Sequence, residues 1–287
     1  MHQHSAHDGT HVVTPAHVPD GRSTEQNRLL RALPADEYAR LLPNLEPVQL
    51  SMRQVIWPSE SVIRSVYFPR TCVISLLTPV ENEDPVESAT IGCEGMAGTA
   101  VVLGAHSTVV LAIAQVPGEA ARLDAARLAE WLRPGEGALF PLLLRYAQAL
   151  QEQTAQSVAC NRRHGIDERC ARWLLMTQDR VGTDQFPLTH EFLAYMLGVR
   201  RASVTVAAGM LQQAGLIRYA RGKVTVLDRE RLEAASCECY AIVRRKYEQL
   251  VGVQPSVLTG GGARREHPDS EPGVGTPAHR KASASVP

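Results

Sequence analysis

Residues 186–227, FPLTHEFLAYMLGVRRASVTVAAGMLQQAGLIRYARGKVTVL, constrain the fold more than any other part of this chain. Thr189 follows Pro187-Leu188 and precedes a helical pattern with Phe192, Leu193, Met196 and Leu197 on one face, so its hydroxyl is placed to cap a helix N-terminus. Gly198 ends that helix where a tight turn calls for a residue free to take positive φ. A second amphipathic helix, from 200 to about 213, buries Val204, Ala207, Ala208 and Leu211. Ala194, Gly198 and Val204 fall at A-x3-G-x5-V: a small residue where two helices cross, a glycine in the turn, and a β-branched core residue in the second helix. This is a helix-turn-helix arrangement, in which the second helix enters the major groove. An ordinary helical hairpin meets that spacing too, but the continuation sharpens it. Gly215 caps the second helix, and 216–220 and 223–227 are β-type runs joined by Arg221-Gly222, a short hairpin. Helix-turn-helix plus hairpin is a winged helix, with Arg218, Arg221 and Lys223 on the wing, where phosphates would lie.

The preceding half has a different texture. A short helical pattern over 28–42 leads into β-type runs at 48–52, 55–57, 66–68, 72–77, 99–103 and 109–116, separated by Pro, Gly, Asn or acidic clusters, as in an antiparallel sandwich or barrel. Residues 95–118 carry no formal charge and are long enough to span a bilayer, but the polar break Gly104-Ala105-His106-Ser107-Thr108 predicts two strands and a turn instead. Asp124 is a good N-cap for a helix over 125–131. Between 138 and 161, Phe140, Leu143, Ala147, Leu150, Thr154 and Ser157 recur at alternating spacings of three and four, an a/d seam. That seam either packs the helix on the β domain or, as the reading preferred here, pairs two subunits. The first 24 residues hold five histidines without apolar period and read as a disordered arm with no metal site; the Gly/Pro/Ser-rich stretch 252–287 reads as a disordered tail.

The helix-turn-helix and hairpin run resembles the DNA-binding domain of the Crp/Fnr transcription-factor superfamily, and CNRRHGIDERCARWLL resembles the segment that joins the family's dimer helix to it. More loosely, NRLLRALPADEYARLLPNLEPVQL is similar to the family's entry helices, and VYFPRTCVISLL and IGCEGMAGTAVVLG to strands of its cyclic-nucleotide-binding-like β-roll. The resemblance implies an α+β chain: an N-terminal β-roll (jelly-roll) sensor over 25–136, a dimerisation helix over 137–162, a Crp-type winged helix-turn-helix over 163–236, and a C-terminal helix over 237–251. It implies a bacterial homodimer that binds double-stranded DNA at a palindromic operator, contacts RNA polymerase and answers to a small-molecule effector of unknown identity. On the family pattern, Arg201 stands at the principal guanine-reading position, Arg200 and Ser203 at positions that hold the DNA backbone, Thr205 on the same helix face, and Thr189 and His190 at a helix N-terminus suited to phosphate. Ala202 and Val206 stand where the best-known members carry a Glu and a second Arg, so the familiar half-site is not expected. Thr99 and Val109-Val110 likewise stand near the family's phosphate-cassette Glu and Arg-Ser pair, which argues against ordinary cyclic-AMP binding. No iron–sulfur cysteine cluster lies in the arm, and histidine spacing selects no haem ligand, so the cofactor stays open.

Six scattered cysteines without C-x-x-C spacing, and no basic n-region or apolar h-region at the start, read as reduced thiols of a cytoplasmic chain with no membrane partner. Cys237-x-Cys239 is the nearest thiol pair; on a helix, residues two apart do not face each other, so unreactive packing is expected. No G-x-S-x-G, H-E-x-x-H, G-x4-G-K-[ST] or G-x-G-x-x-G motif suggests catalysis. A different class, a ligand-binding or scaffold protein whose helical domain serves protein partners, is opposed by the Arg200-Arg201 start and the basic wing. The chain balances 30 Lys+Arg against 30 Asp+Glu, yet 25–136 holds 9 against 14 and 161–250 holds 15 against 10. An acidic sensor and a basic reader therefore cancel in the sum.

Overall fold

A computed structural model of the chain describes residues 25–252; the histidine-rich arm and all but the first residue of the predicted tail lie outside them. Two short helices, α1 (Arg28–Arg31) and α2 (Ala35–Leu41), lead into strands β1 (Glu46–Leu50), β2 (Val55–Trp57), β3 (Ser65–Pro69), β4 (Val73–Val80) and β5 (Glu83–Ile91). A single helical turn, α3 (Thr99–Val102), precedes β6 (Leu111–Val116) and β7 (Gly118–Asp124). These strands form two antiparallel sheets, β1-β7-β3 and β2-β6-β4-β5, which enclose Phe68, Ile74, Ile91 and Leu123. The expected antiparallel β domain is therefore present, with two strands that alternation did not reveal. β5 reads as an acidic loop because it contains Glu83, Asp84, Pro85 and Glu87; it is a sheet edge, where proline and charge are tolerated.

Residues 99–103 were expected as a strand, and this is corrected: Thr99–Val102 is helical. Gly98, at φ +109, reverses the chain just before it, and the turn buries Val101 and Val102 in the core with α5. Tertiary burial thus overrides the β preference of Thr and Val. The predicted pair of strands over 95–118 reduces to this turn, a loop and β6. Among the described residues no helix is long and apolar enough to cross a membrane.

Asp124 caps α4 (Ala125–Trp131) by accepting from Arg127 N, as expected. The 25-residue helix α5 (Leu139–Arg163) follows, about 37 Å long at 1.5 Å per residue. It turns at Gly165 into α6 (Ile166–Val181), whose first turn is closed by Gly165 N–H donating to Glu168 Oε2 (2.9 Å). Then come β8 (Gln185–Pro187), α7 (His190–Leu197), α8 (Arg201–Gln213), β9 (Ile217–Ala220), β10 (Lys223–Val226), α9 (Arg229–Ala235) and α10 (Cys239–Val251). A small β8-β10-β9 sheet completes the second core, built on α6, α7 and α8.

The helix α10 changes the reading of α5. Val243, Tyr247 and Val251 of α10 pack with Leu142, Leu143, Tyr146 and Leu150 of α5, the Tyr146 and Tyr247 rings lying 6.3 Å apart. Of the predicted seam, Leu143, Leu150 and Ser157 are buried within the chain itself, and Phe140, Ala147 and Thr154 are partly so. The row left to solvent is displaced by one position: Leu144, Gln148, Gln151, Ala155 and Val158. The reading of Cys237-x-Cys239 as two positions on a helix is also corrected, because Cys237 precedes α10 and only Cys239 lies within it.

Candidate nucleic-acid interface

The geometry begins at Thr189, whose Oγ1 accepts from Phe192 N (3.1 Å) and so satisfies an N–H that α7 itself cannot. Gly198, at φ +62, ends α7 in the left-handed conformation, and Arg200, at ψ 141, leads extended backbone into α8. Ala194 and Val204 are buried at the crossing, with Phe192, Leu193, Ala207 and Leu211 around them. The crossing fixes which face of α8 points outward. That face presents Arg201, Ala202, Thr205, Val206 and Met210, with Val206 at 63% exposure. Three apolar side chains and a threonine therefore surround a single arginine.

Beside α8, β9 and β10 pair in the register Lys223↔Ala220 and Thr225↔Arg218, so that only Arg221 and Gly222 make the turn. Both have positive φ, +50 and +73, the two-residue turn whose twist matches that of paired strands. Arg218, Arg221 and Lys223 are all exposed on this wing. With Arg200 and Arg201 they make five cations, and among the described residues no carboxylate forms an ion pair with any of them.

His190 has a different setting. Its Nδ1 lies 3.2 Å from Thr205 Oγ1, its ring lies 4.3 Å from that of Tyr219, and Tyr219 Oη donates to Leu188 O (2.8 Å). Because Thr205 Oγ1 donates to Arg201 O (3.0 Å), the imidazole Nδ1 must carry the proton that joins the pair. Burial and the Arg201 charge hold the histidine below its ordinary value, favouring the neutral ring. His190 and Thr205 thus brace α7, α8 and the wing, while Thr189 stays exposed and Ser203 is partly buried.

The start of α8 also borders a cleft of about 940 Å³, across which stand Glu83, Asp84 and Val86 of β5 and Arg53. Behind it, a buried polar seam joins the β domain to α6. Arg180 Nε donates to Glu94 Oε1 (2.8 Å) and its Nη2 to Gln153 Oε1 (2.9 Å); Trp173 Nε1 donates to Glu87 Oε1 (3.0 Å). Sequence reading missed these residues; the available signal was the presence of Arg172, Asp179 and Arg180 on a helix otherwise buried. Elsewhere, Cys160, His164, Cys237 and Cys239 bring their ligand atoms within 4.8 Å of one another, a grouping with metal-binding donors that spacing along the chain concealed.

Residues 168–235 match the family model of the Crp-like helix-turn-helix domain. No curated protein matches the chain. Among solved structures it is similar to FixK2 from Bradyrhizobium japonicum, with TM-score 0.57 and 14% identity over 67% of this chain and 98% of that one. A CRP-family transcriptional regulator from Thermus thermophilus superposes with TM-score 0.54 and 16% identity, over 74% and 100%. The c-di-GMP responsive global regulator CLP from Xanthomonas campestris gives 0.51 and 15%, over 67% and 99%. At these identities the structures speak for the fold, and the domain match speaks for the winged helix-turn-helix. Residues 168–235 are therefore a Crp-like helix-turn-helix domain, and the described chain shares the fold of the Crp/Fnr-type regulators it superposes on.

Proposed function

We propose that this protein is a dimeric, sequence-specific DNA-binding regulator that lays α8 in the major groove and the β9–β10 wing along the backbone. The observation that carries this reading is the outward face of α8 and the wing, with five exposed cations that pair with no carboxylate among the described residues. Arg201, at the start of α8, is the base reader, because a guanidinium can donate to guanine O6 and N7 together. Ala202 and Val206 offer methyl groups suited to thymine in place of polar readers. Arg200, Arg218, Arg221 and Lys223 are assigned to phosphates, which set register and affinity but carry no sequence information. The exposed row Leu144, Gln148, Gln151, Ala155 and Val158 is the pairing face of α5. A twofold dimer reads a palindrome with half-sites about 34 Å apart.

Selection from a random duplex pool followed by binding assays tests the proposal. Arg201→Ala should weaken binding to the selected operator by roughly 1–3 kcal/mol and leave binding to random duplex nearly unchanged. Equal loss on both would remove the base-reading role. Failure of the wild-type protein to enrich any sequence would favour the scaffold reading.

For the effector, the space between β5, α5 and α6 holds about 30 Å³, lined among others by Glu87, Thr90, Gln153, Ser157 and Trp173. That is room for a water but not for a nucleotide. An effector acting there must first separate the β domain from α6.

A further inference from the structure

We propose that Cys160, His164, Cys237 and Cys239 form a zinc site of the Cys3His type, which ties the end of α5 to the junction of α9 and α10. Cys160 and His164 are four apart at the end of α5, so they share a face; Cys237 and Cys239 flank Glu238, the N-cap residue of α10. Cys160 Sγ lies 3.5 Å from Cys237 Sγ, Cys239 Sγ lies 3.5 Å from His164 Nδ1, and all four ligand atoms fall within 4.8 Å of one another. A tetrahedral Zn²⁺ with bonds of about 2.3 Å to sulfur and about 2.0 Å to nitrogen spaces its ligands roughly 3.5–3.8 Å apart, so the ion needs little rearrangement. A multi-iron cluster spreads its ligands over separate metal atoms and needs a wider cage.

The surroundings support the same assignment. The three cysteines are buried against one another, at 0%, 3% and 0% exposure, and join neither apolar core. Glu238 Oε2 lies 3.2 Å from His164 Nε2, which leaves Nδ1 turned to the sulfurs; a carboxylate on the far nitrogen is the usual support of a zinc-bound histidine. Gln156 Nε2 donates to Cys239 Sγ (3.0 Å), a contact that favours thiolate. The two stretches of chain that enter and leave the helix-turn-helix domain, at Gly165 and Ser236, are adjacent to this cluster. Zinc there closes the domain at its base and sets its attachment to α5. The site stands whether or not α8 reads DNA.

The test uses the untagged full-length protein prepared under reducing conditions, with metal content measured by mass spectrometry and Co²⁺ as a spectroscopic probe. One zinc per chain is expected, and chelated protein should bind one Co²⁺ with the intense visible bands and sulfur-to-metal charge transfer of a tetrahedral thiolate site, displaced by Zn²⁺. Cys160→Ser and Cys237→Ser should each weaken and shift those bands, and Glu238→Gln should weaken Zn²⁺ binding roughly 10–100-fold. Should the serine variants fail to fold, the wild-type spectrum decides alone. Metal bound without thiolate bands, as histidines of the arm would bind it, overturns the proposal. So do bands unchanged in both intensity and position in Cys237→Ser, or a Cys160–Cys237 disulfide in the freshly isolated chain.

Discussion

On β5 the carboxyl group of Glu87 is enclosed by Ser75, whose Oγ lies 2.7 Å from Oε2, and by Trp173. Burial raises this acid to about 7, against the opposing pull of its hydrogen bonds and of Arg180 and Arg172. Between its ordinary value of 4.5 and about 7 the folded protein therefore holds a proton that the unfolded chain has released. Its stabilising contribution is complete below that window and is lost as pH rises through it. Glu87→Gln should flatten this part of the pH profile and stabilise the protein at neutral pH by on the order of 1–3 kcal/mol. Urea denaturation at about pH 5 and about pH 8 measures it, and a variant with the wild-type slope would place the titration elsewhere. Arg201 belongs to this scale too: it is the one charged side chain on the outward face of α8, and the proposed specificity rests on it.

At the level of elements, α5 has two distinct faces. Its Leu143 side is filled by α10 of the same chain, whereas its Leu144–Val158 side is open, with Val158 68% exposed. Charge on the two sides should therefore have different consequences. Val158→Glu should leave thermal stability near wild type but give monomers in sedimentation, because it places two like charges across the pairing face. Leu143→Glu should instead lose the fold, since it buries an unpaired charge in the core. A Val158→Glu protein that remains dimeric would move the interface off this row.

For the whole molecule, the division of charge into an acidic β domain and a basic helical domain has a local counterpart. Glu83 and Asp84 face Arg200 and Arg201 across the cleft beside α8. If α8 reads DNA as proposed, the acidic edge of β5 competes with phosphate for the start of that helix. Removing both charges with Glu83→Gln and Asp84→Asn should raise affinity for any duplex several-fold at low ionic strength, and the gain should fade above about 0.5 M salt, where the Debye length is only a few ångströms. A titration series against salt concentration checks this; a gain independent of salt would point to changed packing at the cleft.

The sequence alone determined the winged helix-turn-helix, because its signals are local. A threonine cap, a glycine at positive φ, a buried valine six residues on and a two-residue Arg-Gly turn each act within one or two helical turns, and all four stand where the spacing placed them. Alternation also revealed an antiparallel β domain, but not β5, whose acidic and proline-containing run is stable only because a neighbouring strand completes its edge. Tertiary structure decided the rest. Thr99–Val102 is helical because the core with α5 takes its valines, and the faces of α5 are assigned by α10, which follows more than seventy residues later. The grouping of Cys160 and His164 with Cys237 and Cys239 likewise depends on contacts between distant elements, where no periodicity along the chain records which residues will meet.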